Sequence, residues 1–272
     1  MRNLIILFFL LPFPAMANIN VVTSIEPIHQ ITSAIMQGVH QPKLLIKRQV
    51  SAHHFSFRPS HFTLIKNADL MIWIDRDFES GFQRLPDILS KETQQLELIK
   101  ALNLQHQNQH IWYSPVLLPI IVNKILTALI DIDPTNADQY QINSNQLIVS
   151  IQKWADLTKS NINKSAPRYI LDHDFLSHFE QGMGINTTAV LHDSHDQHSG
   201  IQALKEIETI LRESQVKCLL TNEPSASKIA KNLASEFNLE IHNISLPNDN
   251  RQKQPDLIDS LNRLSSIMQH CH

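Results

Sequence analysis

The chain has 272 residues, with 23 Lys and Arg against 26 Asp and Glu, a formal charge of −3, and only five glycines. That mild acidity offers no electrostatic footprint for nucleic acid, and so few glycines effectively exclude the glycine-rich loops that cradle phosphates. Fifteen histidines against two cysteines leave imidazole as the main borderline metal ligand available.

Residues 1–17 carry Arg2, an apolar run from Leu4 to Leu11 and the close Ala15-Met16-Ala17. These are the charged, apolar and small-residue parts of a secretory signal. The mature chain is therefore expected to begin at Asn18. The apolar run is too short to cross a bilayer, and no later stretch reaches the roughly 20 apolar residues a spanning helix needs. No transmembrane segment is expected, and with no cysteine after the apolar run the product is expected to be diffusible and periplasmic. About 255 mature residues suffice for one large domain or two ordinary ones.

Along the mature chain, Ile19 to Thr23 reads as a strand, followed by a turn at Glu26-Pro27 and a helical pattern from Ile28 to Met36. Strand patterns recur at Lys43 to Ile46, Leu70 to Ile74 and Gln95 to Ile99. Pro59-Ser60 opens a short helix running through Lys66, with Ser60 as its expected N-cap, and another helix begins near Pro115. From Pro134 to about Asn163, Ala137, Tyr140, Leu147, Ile148, Ile151, Trp154 and Ala155 fall at near-helical spacing with no glycine or internal proline. One helix of roughly thirty residues would reach ~45 Å, the length of a two-lobed molecule.

After Pro167 the alternation restarts. Strands are expected at Tyr169 to Leu171, Thr187 to Leu191, Cys218 to Thr221 and Glu240 to Ile244. Helices are expected near Phe175 to Gln181, then at Ile201 to Glu213, Ala226 to Glu236 and Asp256 to Met268. Alternating strands and helices imply parallel sheets covered on both faces. The expected organisation is thus α/β: an N-terminal lobe at 18–133, a connecting helix at 134–166 and a C-terminal lobe at 167–272.

Three histidine segments fall at loop positions: Ser51 to Ser60 with His53 and His54, His110-Ile111-Trp112-Tyr113-Ser114-Pro115, and Asp172-His173-Asp174-Phe175. In open α/β sheets ligands sit at the carboxyl ends of strands, and His53 and His173 occupy such places in opposite halves. A lone loop histidine is more often a solvated side chain than a ligand, and His54 competes with His53 for the role. His29, His40 and His61 read as surface or supporting residues. Two cysteines far apart in an exported chain, Cys218 and Cys271, ordinarily pair; two metal-binding thiolates are the rival reading.

The elements Ser-x-His-x-Phe-Ser-Phe-Arg-Pro-Ser at 51–60, His-Ile-Trp-Tyr-Ser-Pro at 110–115 and Asp-His-Asp-Phe at 172–175 resemble those of the periplasmic solute-binding proteins of zinc and manganese ABC importers, the zinc-specific branch in particular. Val22 to Ile25, Ala68 to Leu70 and Asn222 to Pro224 extend the likeness over nearly all of the mature chain. The resemblance implies two α/β lobes joined by a long helix. It also implies zinc ligands at His53, His110 and His173, and a disulfide between Cys218 and Cys271. Manganese-type members place a carboxylate at the third position, whereas three imidazoles suit zinc. The implied partners are a zinc ion as cargo and the membrane permease of a zinc ABC importer, with a monomer as the simplest state.

Two departures concern the fourth ligand. Ala52 stands where some zinc receptors offer a glutamate, and Leu246 stands before Pro247 where other members supply an aspartate. Water or Glu223 would then complete the set. The long histidine-rich loop of the zinc branch is reduced to His106-Gln107-Asn108-Gln109, while His192, His195 and His198 form either an accessory metal site or a solvated loop. Rival functions are a secreted zinc hydrolase, with Asp172 or Asp174 as base, and a metal-dependent adhesin. The hydrolase lacks His-Glu-x-x-His and Gly-x-Ser-x-Gly motifs to support it.

Overall fold

The computed structural model describes residues 19–47, 49–105, 107–162, 166–192, 201–245 and 256–272. The expected signal segment, His106, His195, His198 and the Leu246-Pro247 step lie outside the described residues.

Among the described residues, eight strands run β1 (Val21–Thr23), β2 (Lys43–Leu44), β3 (Leu70–Trp73), β4 (Gln94–Glu97), β5 (Tyr169–Leu171), β6 (Ala189–Val190), β7 (Cys218–Thr221) and β8 (Glu240–Asn243). They form two sheets, ordered β2-β1-β3-β4 and β6-β5-β7-β8, with every pairing parallel. Both halves thus place their second strand outside their first and build outward through the third and fourth. The α-helices of the described residues cover them: α1 (Glu26–Ile35), α2 (Pro59–Lys66), α3 (Leu85–Ile88), α4 (Leu98–Ala101), α5 (Leu117–Ile132), α6 (Ala137–Ile162), α7 (Ser177–Met183), α8 (Ile201–Glu213), α9 (Lys228–Phe237) and α10 (Leu257–His270). Strands β1, β3, β5 and β7 are buried along their whole length, as strands covered on both faces must be.

Boundaries move where local chemistry competes with pattern. Ser60 is not the N-cap of α2. Pro59 fixes the first helical position, which makes Arg58 the cap, and the Arg58 amide donates to His61 Nδ1 at 3.0 Å. Strand β4 stops at Glu97 because Leu98 and Ile99 bury their side chains from a helical turn instead. Strand β6 shrinks to two residues because Thr187 spends its hydroxyl on the carbonyls of Tyr169 and Ala189, each at 3.1 Å. The long helix holds 26 residues, roughly 39 Å at 1.5 Å each, since Pro134–Asn136 form a 3-10 turn before it.

Helix α6 joins the halves by contact with both. On the N-terminal side Asn143 donates to the carbonyls of Ile35 and Gln37, at 2.8 and 2.9 Å. On the C-terminal side Trp154 Nε1 donates to Leu261 O and Ser265 Oγ, at 2.9 and 2.7 Å. Helices α1 and α10 also meet directly through Gln30 and Ser260. The larger apolar cluster is continuous across this seam, running from Val21, Ile28 and Leu129 to Phe175, Phe179 and Met268. A smaller cluster, with Ile170, Leu219 and Leu233, lies on the other face of the second sheet.

One seam contact is tight enough to test. A Cβ at Gly182 of α7 would lie 2.4 Å from Pro115 Cγ and 2.8 Å from Pro115 Cδ, and a proline ring cannot swing aside. Gly182→Ala is expected to destabilise the chain by about 1–3 kcal/mol through overpacking, read as a lower urea midpoint; an unchanged midpoint would mean that the seam yields freely.

Candidate metal centre

Loops at the carboxyl ends of the strands in both sheets converge on one cleft. His53 lies on the loop after β2, Phe78 follows β3, His110 lies beyond β4 and α4, His173 follows β5 and Glu223 follows β7. The three histidines named from the sequence are brought together, with one ring nitrogen from each lying within 4.8 Å of the others. His173 Nε2 is 3.4 Å from His110 Nε2, and His53 Nε2 is 3.9 Å from Glu223 Oε1. In a tetrahedron with zinc bonds of about 2.0–2.1 Å, ligand atoms stand roughly 3.3–3.4 Å apart. These spacings therefore suit one small ion. His54 points to solvent and is not part of the group.

Aromatic rings set the dielectric of the cleft. Phe78 packs edge-on against His53 at 4.6 Å and against His110 at 5.3 Å. Trp112 lies 5.2 Å from His110, and Phe175 lies 5.2 Å from His173. Burial, with His173 and His53 as further causes, holds the His110 imidazole well below the usual histidine range. A neutral ring is what a cation needs, because a protonated imidazole has no lone pair to give.

Asn108 chooses which His110 nitrogen faces the cleft. Its Nδ2 donates to the Asp174 carbonyl at 2.8 Å, which fixes the amide orientation, and its Oδ1 accepts from both the His110 amide and His110 Nδ1, each at 2.9 Å. With the proton on Nδ1, the Nε2 lone pair is left toward His173. The Asn108 carbonyl also accepts from His178 Nε2 at 2.6 Å, so this short remnant of a loop ties the first half to the second beside His173. The sequence alone gives Asn108 no role. Its position two residues before a histidine was the available signal, and only the fold supplies the partner.

The His53 loop is propped from residues 78–81. Ser80 Oγ donates to the His53 carbonyl at 2.6 Å, and Gly81 sits so close to Phe55 that a Cβ would come within 2.6 Å of its carbonyl. Between Phe78 and Ser80, Glu79 is fully buried, its Oε2 accepting from the Ile74 and Asp75 amides at 3.0 Å each. Burial pushes its carboxyl up to about 8, against the opposing pull of Ser24 and those two amides. No sequence motif marked it. His61 supports the same loop from within a Phe55 and Phe57 ring cluster, and His29 is bonded to Thr23.

His192 is drawn into the body of the second half. Its Nδ1 lies 2.8 Å from the Asp172 carbonyl, and Asp172 Oδ2 accepts from the Ser227 amide at the start of α9. Cys218 and Cys271 are joined by a disulfide that fastens the end of α10 to β7.

The metal-free chain should show two opposed pH slopes. Glu79 has its folded pKa raised from 4.5 to about 8. Its contribution is complete below pH ~4.5 and is lost as pH rises through 8. His110 has its folded pKa lowered, so its contribution is complete above the unfolded histidine value of about 6.5 and is lost as pH falls below it. Glu79→Gln, which keeps a neutral acceptor, is expected to remove the loss of urea stability that the carboxyl causes between about pH 4.5 and 8. An unaltered slope across that window would refute the buried neutral acid.

The family described as "Zinc-uptake complex component A periplasmic" matches residues 21–270. The high-affinity zinc uptake system protein ZnuA of Bacillus subtilis is 23% identical over 240 residues, covering 80% of this chain and 75% of that protein. ZnuA of Yersinia pestis is 24% identical over 242 residues, covering 75% of each. Among solved structures, the laminin-binding protein Lmb of Streptococcus agalactiae, described as bifunctional with adhesin and metal transporting activity, superposes with a TM-score of 0.81 at 18% identity, covering 93% of this chain and 99% of that one. The family is one of metal-binding receptors that serve ABC importers, not one of enzymes, which sets the hydrolase alternative aside. Matched over 250 consecutive positions, the chain belongs to the periplasmic zinc-uptake complex component A family.

Proposed function

We propose that this protein is an exported periplasmic receptor that binds zinc as its cargo and delivers it to the membrane permease of a zinc ABC importer. The observation that carries this reading is the meeting of His53, His110 and His173 in one aromatic-walled cleft. Three imidazoles favour zinc over manganese, which prefers oxygen ligands. Glu223, 3.9 Å from His53, is the proposed fourth ligand in place of the water weighed from the sequence, and it supplies the carboxylate that Ala52 and Leu246 do not. The family's zinc relatives support the choice of ion, while the adhesin relative supports only the fold.

Release follows from where the ligands come from. His53 and His110 belong to the first half, His173 and Glu223 to the second. A small relative displacement breaks two bonds at once. Because the apolar core is continuous across the seam, the motion is a local opening of loops, not a wide hinge closure. Asn108 is a positioning residue for this step, since it orients His110 and is itself anchored on Asp174 and His178.

Two measurements test the reading. Calorimetric titration of zinc into the mature protein should give one tight site that is abolished in each of His53→Ala, His110→Ala and His173→Ala, with manganese bound far more weakly; tight binding that survives all three would overturn the ligand set. Asn108→Ala should weaken zinc binding about 10- to 100-fold without abolishing it, the usual consequence of losing a partner that orients a ligand. Unchanged affinity would assign the orientation of His110 to ring packing alone.

A further inference from the structure

At the opposite edge of the second sheet, at the amino ends of its strands, a second constellation of metal-ligating groups stands apart from the cleft. Glu240 and His242 are two apart on β8 and so project from the same face. His270 closes α10. Glu240 Oε2 lies 2.8 Å from His270 Nε2 and 3.4 Å from His242 Nε2, and the two imidazole rings are 5.4 Å apart. All three ligand atoms fall within 4.8 Å of one another.

The arrangement is built by the fold rather than by chance encounter of surface side chains. Strand register sets Cys218 of β7 opposite Glu240 of β8. The disulfide then fixes Cys271, and with it the adjacent His270, against Cys218. His242 lies over the two sulfurs. Being bonded to each other, the sulfurs are not ligands, but both are buried beside the ring. A further sign comes from His242 itself: its Nε2 is shielded from solvent and faces the carboxylate at 3.4 Å without a well-aligned hydrogen bond. Burial, with His270 as the next cause, lowers the His242 pKa, so the lone pair stays available.

We propose that Glu240, His242 and His270 form a second, weaker binding site for a divalent ion of the zinc class. Two imidazoles and one carboxylate are a zinc ligand set, with water completing the tetrahedron, and copper or nickel would also bind in vitro. The exposure of Glu240 and His270 makes for rapid exchange with bulk solvent. The site shares no residue with the cleft and does not depend on the receptor reading.

The test uses the full mature chain carrying His53→Ala and His110→Ala, so that the cleft cannot bind, with zinc measured by competition against a chromophoric chelator. One zinc equivalent is expected to remain in this parent. His242→Ala and, separately, the exposed His270→Ala should each remove it or weaken it at least about ten-fold. His270→Ala decides the question if His242→Ala fails to fold. No zinc on the parent overturns the proposal, as does the same equivalent held unchanged by His270→Ala, or one lost only when His195 and His198 are replaced. Tight binding by the unsubstituted chain is a separate readout and bears only on the cleft.

Discussion

The two halves of this protein share one apolar core, and that sharing governs the rest of the molecule. Helix α6 reaches both halves, with Asn143 holding the end of α1 and Trp154 holding α10. The buried cluster passes through the seam without a break. Parallel sheets gather their ligand-bearing loops at the carboxyl ends of strands, and a fused core keeps those two sets of loops facing each other. The same continuity limits how far the halves can part. Opening them widely would expose apolar surface at about 25 cal/mol per Å², so movement is confined to the loops around the cleft.

Within that frame, the cleft is a place where neutral imidazole is favoured. Phe78, Trp112 and Phe175 wall the cleft, and His110 is too deeply buried to hold a proton easily. Asn108 turns that neutral ring so that one defined nitrogen faces the other histidines. Glu79, neutral and buried under the His53 loop, applies the same physics to a carboxyl: burial suppresses the charged form, and the group serves as an uncharged anchor for backbone amides. Neither a free carboxylate nor a protonated histidine would suit these positions.

The alternation of apolar segments was enough to expect two α/β halves and a long helix, because burial on both faces leaves a continuous apolar strand pattern. Ends were harder to read. Ser60 looks like a cap by composition, yet Pro59 had already started α2 and His61 took the amide. Thr187 has strand character, yet its hydroxyl found two carbonyls. In both cases a side chain satisfied the backbone locally, which pattern alone does not reveal.

Residue types and motif spacing by themselves determined the class of the fold, the histidine segments to watch and the family they resemble. The tertiary structure decided that His53 rather than His54 turns into the cleft, that Glu223 from the other half stands beside it, and that Asn108, Glu79 and Phe78 hold the histidines in place. It also decided that β8 and the end of α10 assemble a second histidine and carboxylate group around the disulfide. The reason is one of range. Periodicity and turn chemistry act over a few residues and are written in order along the chain, whereas a coordination sphere is set by distances of a few ångströms between residues up to 170 positions apart, such as His53 and Glu223, and only packing fixes those.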